Sequence, residues 1–559
     1  MASSPAYSPR LFQAAFEFTQ RRHNSRGPAL FLHVSMKRVY NKTFAEPAPP
    51  GRSQTEDAFV NGNRRPRIFM PVAWPRMLAG LWLAALFLLV LAWPVAAQAP
   101  SMSMPTVQPK QSPAGDTSVL AKEAEGWLAD LIRMDTTNPP GNEEAAAKYI
   151  AGILTKEGFS PELLPLAPGR SAIVARLRSA ALPDPSRALL LVAHTDVVGV
   201  DKSKWTVDPF GAVIKEGYLY GRGSIDDKGM LAANLAAFLA LKRSNARLNR
   251  DVIFLATADE EQGGDASIRM LIAKYWDKFA AGFSLNEGGR TVLQNGKVQY
   301  VAIQASEKVS VDVAVIAKGP SGHGSQPTKD NAVIHLAAAV AKIGAYSAPV
   351  HFTTIVRRYF EQLASLEDDE IAKWIRSLDT PDRGEHAQRV VSEANPLWNS
   401  ILRDTVAPTM LSAGVRANVI PSEARAMLNV RLLPGDTIDA LLAELTKLVN
   451  DPQIRFEVLP DAGLAAPPSS LESDFYAAIS KAALQEFPGT AVLPFMSTGA
   501  TDSAQLRLHN VQAYGLSPFP MTNEDARRVH ADDERIPLAS FDKGVDFLAR
   551  VVSEFAAAR

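Results

Sequence analysis

Four short apolar runs, each followed at once by acidic residues or a histidine, are the feature that most constrains this chain. They lie between Leu189 and Gly289 and read LLLVAHTDVV, YGRGSIDDKGM, DVIFLATADEEQGG and GFSLNEGG. Short apolar runs bounded by turn residues are typical of buried strands, and carboxylate and imidazole side chains are suitable zinc ligands. Because burying so many acids together is costly unless cations neutralise them, the pattern predicts a divalent metal site at strand ends.

Length and composition limit the class of protein. The chain has 559 residues, too many for one compact core, so we expect two domains or more. Lys and Arg together number 59, as do Asp and Glu, and the resulting net charge of +0 argues against a nucleic-acid binder driven by bulk charge. The chain contains no cysteine. Any metal ion must therefore be held by His, Asp and Glu.

The N-terminal region has the composition of export and linker segments. Residues 1–77 show no clear apolar period and are interpreted as disordered, or as an extension from a start codon set too far upstream, with Met70 and Met77 as alternative starts. Residues 78–99 combine an apolar run with small residues, which is typical of a signal peptide and predicts a secreted or periplasmic protein. The alternative is an uncleaved membrane anchor. Residues 100–117 are rich in Pro and Ser and are interpreted as a linker.

The pattern after residue 118 predicts an α/β fold. Short strands such as SAIVARL, ALLLVAH and DVIFLATA alternate with helices, which indicates a mixed, mostly parallel sheet flanked by helices. After Ala305 the strand KVSVDVAVIAKG alternates with period two and a helix follows it, as in a smaller α+β domain with an open sheet and helices on one face. We therefore predict a catalytic domain, 118–305 and 459–559, interrupted by an inserted lid or dimerisation domain, 306–458.

Two of the four runs end in motifs that fit a metal ligand but also fit a structural role. In HTD, His194 and Asp196 point to the same side of a strand, so the carboxylate can fix the imidazole tautomer, although a structural hydrogen bond explains the pair equally well. Asp226 follows the Gly-rich turn in GRGSIDDKG, where an acid is also favoured as a helix N-cap. A capping Asp can still bind a metal ion through its second oxygen.

The other two runs end in glutamates that can bind metal or act as a general base. Glu260 and Glu261 are adjacent at a strand end and point in different directions, so one can bind metal while the other acts as a general base. The alternative interpretation of these two acids is a solvated acidic loop with no catalytic role. Glu287 in NEGG is open to the same two interpretations, and its glycines permit close approach of the backbone to a ligand. All four motifs together, each after an apolar strand, favour a metal-dependent hydrolase.

In this order the motifs resemble the dinuclear-zinc carboxypeptidase and deacylase family, which includes acetylornithine deacetylase, succinyl-diaminopimelate desuccinylase, aminoacylase and carboxypeptidase S. The resemblance covers residues 118–559, and the segment from Arg357 to Ser400 is similar to the carboxypeptidase S-like branch. It implies two Zn²⁺ ions, for which cobalt or manganese could substitute. The implied roles are binding of one zinc by His194 and Glu287, binding of the other by Glu261 and His530, bridging by Asp226, orientation of His194 by Asp196, and general base catalysis by Glu260.

The resemblance also implies roles for the inserted domain. His323 in GPSGHGSQP would stabilise the oxyanion, often from the partner subunit, which allows a homodimer through this domain. Asn418 and Arg431 match substrate-binding positions, and Arg431 would form a two-pronged contact with a substrate carboxylate. An exposed strand arginine is the alternative for Arg431. His530, rather than His509, is expected as the late ligand because acidic residues follow it.

The implied activity is hydrolysis of an amide bond next to an amino acid with a free carboxylate. Substrates would be small peptides or N-acyl amino acids, with no nucleic acid, and with membrane contact only if 78–99 stays uncleaved. One alternative is a catalytically inactive binding protein with the same fold. Another is an aminopeptidase, which Arg431 disfavours because a cation repels a substrate ammonium.

Overall fold

A computed structural model describes residues 117–180, 183–263, 266–460, 463 and 465–558. The predicted N-terminal extension, the signal peptide or membrane anchor, and all but the last residue of the predicted linker lie outside these residues. Within the described ranges, no helix is both long enough and apolar enough to cross a bilayer.

The strands and helices are numbered in chain order. The strands are β1 (Glu162–Ala167), β2 (Arg170–Leu177), β3 (Leu189–His194), β4 (Val213–Lys215), β5 (Tyr218–Tyr220), β6 (Val252–Thr257), β7 (Phe283–Asn286), β8 (Arg290–Gln294), β9 (Lys297–Glu307), β10 (Val309–Lys318), β11 (Gly322–His323), β12 (Thr405–Ala413), β13 (Val419–Ile420), β14 (Glu423–Leu432), β15 (Ile454–Val458), β16 (Ala491–Ser497), β17 (Gln512–Gly515), β18 (Pro520–Met521) and β19 (Arg535–Pro537). The helices are α1 (Thr117–Arg133), α2 (Glu143–Lys156), α3 (Lys228–Arg243), α4 (Ile268–Phe279), α5 (Ala332–Gly344), α6 (Thr354–Leu363), α7 (Asp369–Arg376), α8 (Gly384–Ala394), α9 (Pro396–Leu402), α10 (Ile438–Val449), α11 (Asp474–Glu486), α12 (Asp502–Leu508), α13 (Asn523–Ala526) and α14 (Leu538–Ala556).

The larger sheet is mixed and has helices on both faces. Its order is β1-β2-β6-β3-β7-β17-β9-β8-β18, with β16 paired to β9. The central strands β6, β3, β7 and β17 run parallel to one another, whereas β1 and β2 are antiparallel. Every residue of β3 and β6 is buried, as expected for strands covered on both sides. The predicted α/β class with a mostly parallel sheet flanked by helices is confirmed.

The smaller sheet is antiparallel and has a core of its own. Its order is β12-β14-β10-β15, and α5 and α10 pack against it. Alternate residues of β14 are buried, which is the period-two pattern of a strand with one covered face. The buried side chains include Val313 and Val315 of β10 and Leu428 and Val430 of β14. An open sheet with helices on one face therefore lies where the sequence predicts it.

The helical segment α6–α9 packs on the core of the larger sheet, although it lies within the predicted bounds of the inserted domain, 306–458. Val356 and Phe360 of α6 and Ile401 of α9 are buried in the larger core. Helix α6 contacts β16. The smaller sheet and its helices are thus formed by the residues on either side of this segment.

Candidate active site

The parallel central strands bring four of the predicted site residues to one edge of the larger sheet. His194 is the last residue of β3, and Glu260 and Glu261 follow β6. Glu287 comes directly after β7. Because the carboxyl ends of parallel strands lie at the same edge, these side chains meet there.

Asp226 stands between two histidines and presents one oxygen to each. Its Oδ1 lies 2.9 Å from His194 Nε2, and its Oδ2 lies 3.1 Å from His530 Nε2. His530 Nε2 is also 3.3 Å from Glu261 Oε2, and His194 Nε2 is 3.9 Å from Glu287 Oε1. Two sets of donors that share Asp226 can hold two neighbouring cations.

The charges of the cluster favour cations. Burial, together with repulsion from neighbouring acids, raises the pKa values of Glu260 and Glu287 well above their ordinary range. Hydrogen bonds to Asp226 and Glu261 raise the pKa of His530 to about 10. Glu261 Oε1 is buried, and it has no hydrogen-bond partner among the residues that the structure describes. An orphaned buried oxygen among crowded acids fits divalent metal ions, and a donor set of carboxylate and imidazole is one that zinc accepts.

Asp196 contacts the loop of Glu260 and Glu261 as well as His194. Its carboxylate accepts hydrogen bonds from the backbone N–H groups of Glu260 and Glu261, both at 3.1 Å. The nearest partner of His194 Nδ1 is the backbone carbonyl of Asp196 at 3.0 Å, whereas the carboxylate Oδ1 is 3.4 Å away. Either contact leaves His194 Nε2 facing Asp226. Asp196 therefore positions the loop that carries the two adjacent glutamates.

Sequence analysis missed a polar network behind Asp196. Asn138 Nδ2 donates to Asp196 Oδ2 at 2.9 Å and to Asp259 Oδ1 at 2.8 Å. Arg170 pairs with Asp259 at 2.9 Å and with the fully buried Glu143. Asp259 directly precedes the two adjacent glutamates, whereas Asn138, Glu143 and Arg170 lie between the end of α1 and the start of β2, where no local motif marks them.

A second missed pair joins the loops that carry Asp226 and His530. The buried Glu534 accepts hydrogen bonds from Arg222 Nη1 at 2.6 Å and from Asp226 N at 3.2 Å. Arg222 Nη2 in turn donates to the backbone carbonyl of His530 at 3.3 Å. The Arg222–Glu534 ion pair therefore ties together two loops separated by about 300 residues of chain.

Several neighbours of the predicted ligands have structural roles. Asp227, the N-cap of α3, makes no side-chain cap bond and instead accepts a hydrogen bond from His194 N. Asn286, just before Glu287, donates to Ser503 Oγ at 3.2 Å.

A further buried acid is Asp502, whose pKa burial raises to about 7. Only its position within the stretch STGATDS, residues 497–503, marks this acid in the sequence.

The remaining predicted residues lie in the smaller domain. His323 is exposed in a two-stranded ribbon, where its Nδ1 lies 2.7 Å from Ser325 Oγ, and Asn418 O accepts a hydrogen bond from Gly324 N. Arg431 on β14 is half-buried and donates to Asn429 Oδ1 at 3.0 Å. Among the described residues, no hydrogen bond or ion pair joins these three to the acidic cluster. Their roles stay predictions.

An apolar pocket of about 280 Å³ opens beside the acidic cluster. Asp226 and Glu287 form part of its lining, and Arg290 contributes a cation. The rest of the lining is largely apolar and includes Met230, Val292, Leu397, Phe495, Leu516 and Phe519. A substrate bound at the cluster can therefore place an apolar group in this pocket.

Comparison with known proteins identifies the family. A family model described as peptidase family M20/M25/M40 matches residues 190–554. The chain belongs to this family. It is a metal-dependent hydrolase of peptide or amide bonds, as predicted, and the resemblance to the carboxypeptidase S-like branch is confirmed by its relatives.

Two relatives align with about two thirds of the chain. Human N-fatty-acyl-amino acid synthase/hydrolase PM20D1 is 32% identical over 378 residues, which cover 66% of this chain and 74% of the human protein. Probable carboxypeptidase S-like 2 of Dictyostelium discoideum is 29% identical over 381 residues, which cover 66% of this chain and 72% of that protein.

Two solved structures share the fold of this chain. The M20 family metallo-carboxypeptidase Sso-CP2 of Sulfolobus solfataricus gives a TM-score of 0.60 at 21% identity, covering 78% of this chain and 99% of that one. Human carnosine dipeptidase 1 gives 0.57 at 16% identity, covering 78% and 98%. At these identities the likeness concerns the fold alone.

Proposed function

We propose that the protein is a zinc-dependent hydrolase of N-acyl amino acids whose acyl group is apolar. The observation that carries the proposal is the position of Asp226, with one oxygen toward His194 and the other toward His530, next to a pocket lined by apolar side chains. The similarity to N-fatty-acyl-amino acid synthase/hydrolase PM20D1 supports this substrate class.

The roles that we propose for the residues are those that the family resemblance implies. His194 and Glu287 would hold one zinc ion, Glu261 and His530 the other, and Asp226 both. When bound, the zinc ions lower the pKa of water and polarise the substrate carbonyl. Glu260 lies beside this donor set, accepts the proton of the attacking water, and later delivers it to the leaving nitrogen.

The substrate's carboxylate and its acyl group would bind on different sides of the acidic cluster. Arg431 and Asn418, the proposed carboxylate-binding residues, lie in the smaller domain. The pocket lining comes from strands, loops and helices of the larger domain and from Leu397 of α9. With Asp226 and Glu287 engaged as metal ligands, a free N-terminal ammonium would meet the Arg290 cation and apolar walls there, so an acyl group would be the better occupant.

A panel of substrates tests the proposal. Zinc-loaded protein should cleave N-acyl-L-phenylalanines with a kcat/KM well above that for dipeptides of the same C-terminal residue with a free N-terminus. Cleavage of free-amine peptides alone would indicate an aminopeptidase, and binding without hydrolysis across the panel would indicate an inactive binding protein.

We also propose a homodimer through the smaller domain. Strand β12 is an edge strand whose last seven residues are exposed, and it presents Met410 and Leu411, each 66% exposed. An exposed apolar edge is a template for pairing with a second copy around a two-fold axis. Pairing would leave His323 free to reach the other copy's acidic cluster, as the resemblance implies. Light scattering should show a dimer that Leu411→Lys disrupts, and a monomeric wild type would overturn this arrangement.

Export is proposed on the N-terminal segment alone. Residues 78–99 have the composition of a signal peptide, so the mature enzyme would be secreted or periplasmic. N-terminal sequencing of the protein recovered from its host would show a start near residue 100 if the segment is cleaved, and an intact segment if it is an anchor.

A further inference from the structure

The side chains that line the apolar pocket beside the acidic cluster differ in their exposure to solvent. Leu516, Phe519 and Met230 are buried almost completely and form its inner part. Val529 is 37% exposed, and Leu397 is half-buried. The pocket therefore runs from exposed and half-buried side chains into the core of the larger domain.

Leu397 differs from the rest of the lining in where it comes from. It is the second residue of α9, in the helical segment α6–α9. The other lining residues come from strands and loops of the larger domain and from α3 and α13. Trp398 and Ile401, which neighbour Leu397, are buried in the larger core and fix the helix in place. A change in the Leu397 side chain therefore alters the pocket from a segment that carries none of the proposed metal ligands.

We propose that Leu397 sets the length of acyl chain that the enzyme accepts. This inference rests on the proposed N-acyl amino acid hydrolase function and names its substrate more closely. A pocket of about 280 Å³ has room for an acyl chain of medium length. We therefore expect wild-type kcat/KM to rise from acetyl to octanoyl and to fall at hexadecanoyl.

Two substitutions at Leu397 test the proposal in opposite directions. Leu397→Trp reduces the volume of the pocket, and Leu397→Ala enlarges it. Each methylene excluded from burial costs about fourfold in kcat/KM. For a series of N-acyl-L-phenylalanines from acetyl to hexadecanoyl, the ratio of kcat/KM for octanoyl to acetyl should fall at least about tenfold in Leu397→Trp. In Leu397→Ala the optimum should move to dodecanoyl or beyond.

A matched control separates this effect from a general loss of folding. Leu484 on α11 is 52% exposed and does not line the pocket, so Leu484→Trp should keep the wild-type chain-length profile. A second series with a constant octanoyl group and varied amino acids shows which part of the substrate Leu397 contacts.

The outcomes are distinct. An equal loss at all chain lengths in both Leu397 variants would overturn the proposal, as would a shift in amino-acid preference with an unchanged acyl profile. If the wild type hydrolyses none of the N-acyl amino acids, the proposed function itself fails, whatever the Leu397 variants do.

Discussion

The buried pair of Arg222 and Glu534 supports the sharpest prediction about stability. Glu534→Gln keeps the size of the side chain but replaces one acceptor oxygen with a donor. In the native protein the two oxygens accept from Arg222 Nη1 at 2.6 Å, Gly223 N at 3.2 Å, Ile225 N at 2.8 Å and Asp226 N at 3.2 Å. The glutamine oxygen can serve at most one pair of these donors. The other pair then faces an amide donor, and in either orientation the buried Arg222 loses its charged partner.

The size of the effect follows from burial. The Arg222 side chain is 2% exposed and that of Glu534 is fully buried, so breaking the pair should cost about 3–5 kcal/mol of unfolding free energy. The same bonds hold the loops of Asp226 and His530, and loss of such supporting contacts typically weakens metal binding about 10–100-fold.

Guanidinium unfolding of the metal-free protein and zinc titration of the folded protein measure the two effects separately. The matched control is Glu162→Gln, which removes an exposed ion pair with Lys278 and should leave both the unfolding midpoint and zinc affinity unchanged. If Glu534→Gln also unfolds at the wild-type midpoint and binds zinc normally, the Arg222–Glu534 pair does not hold these loops.

Three further predictions concern other parts of the molecule. His530→Ala should lower the metal content of the purified protein from two zinc ions per chain to one, as metal analysis would show; two retained ions would remove His530 from the donor set. Asn138→Ala takes a hydrogen bond from Asp196 and should lower kcat more than it raises KM, because the glutamate loop loses its support while the pocket stays intact; an unchanged kcat would contradict that role. Burial lowers the pKa of Lys308 from 10.5 to about 7, so between these pH values the unfolded chain binds more protons and the unfolding free energy rises with pH by up to about 1.4 kcal/mol per pH unit. Lys308→Met lacks this contribution, and denaturant unfolding at several pH values should show a shallower pH dependence than the wild type; parallel curves would contradict the depressed pKa.

The core of the acidic cluster could be predicted from sequence because it depends on short-range patterns. His194, Glu261 and Glu287 each follow a buried strand, and parallel pairing of β3, β6 and β7 then brings them together without further information. The order of the motifs was enough to predict both the fold class and the family.

The supporting contacts could not be predicted in the same way. Asn138 meets Asp196 across 58 residues of chain, and Arg222 meets Glu534 across 312. No sequence motif distinguishes these residues from other polar residues, and only the folded structure shows that they are buried and paired. The helical segment α6–α9 was assigned to the smaller domain by its position in the chain, although its apolar face packs on the larger core.

The central claim is that Glu260 moves the proton in a reaction carried out at a dinuclear metal centre. Its most direct test is to measure, on one preparation of Glu260→Gln, both the bound zinc and kcat for an N-acyl-L-phenylalanine. We expect Glu260→Gln to bind two zinc ions per chain, as the wild type does. Its kcat should be lower by about 10²–10⁴-fold, which is the usual contribution of a general base. A variant that retains both zinc ions and turns over at the wild-type rate would contradict it.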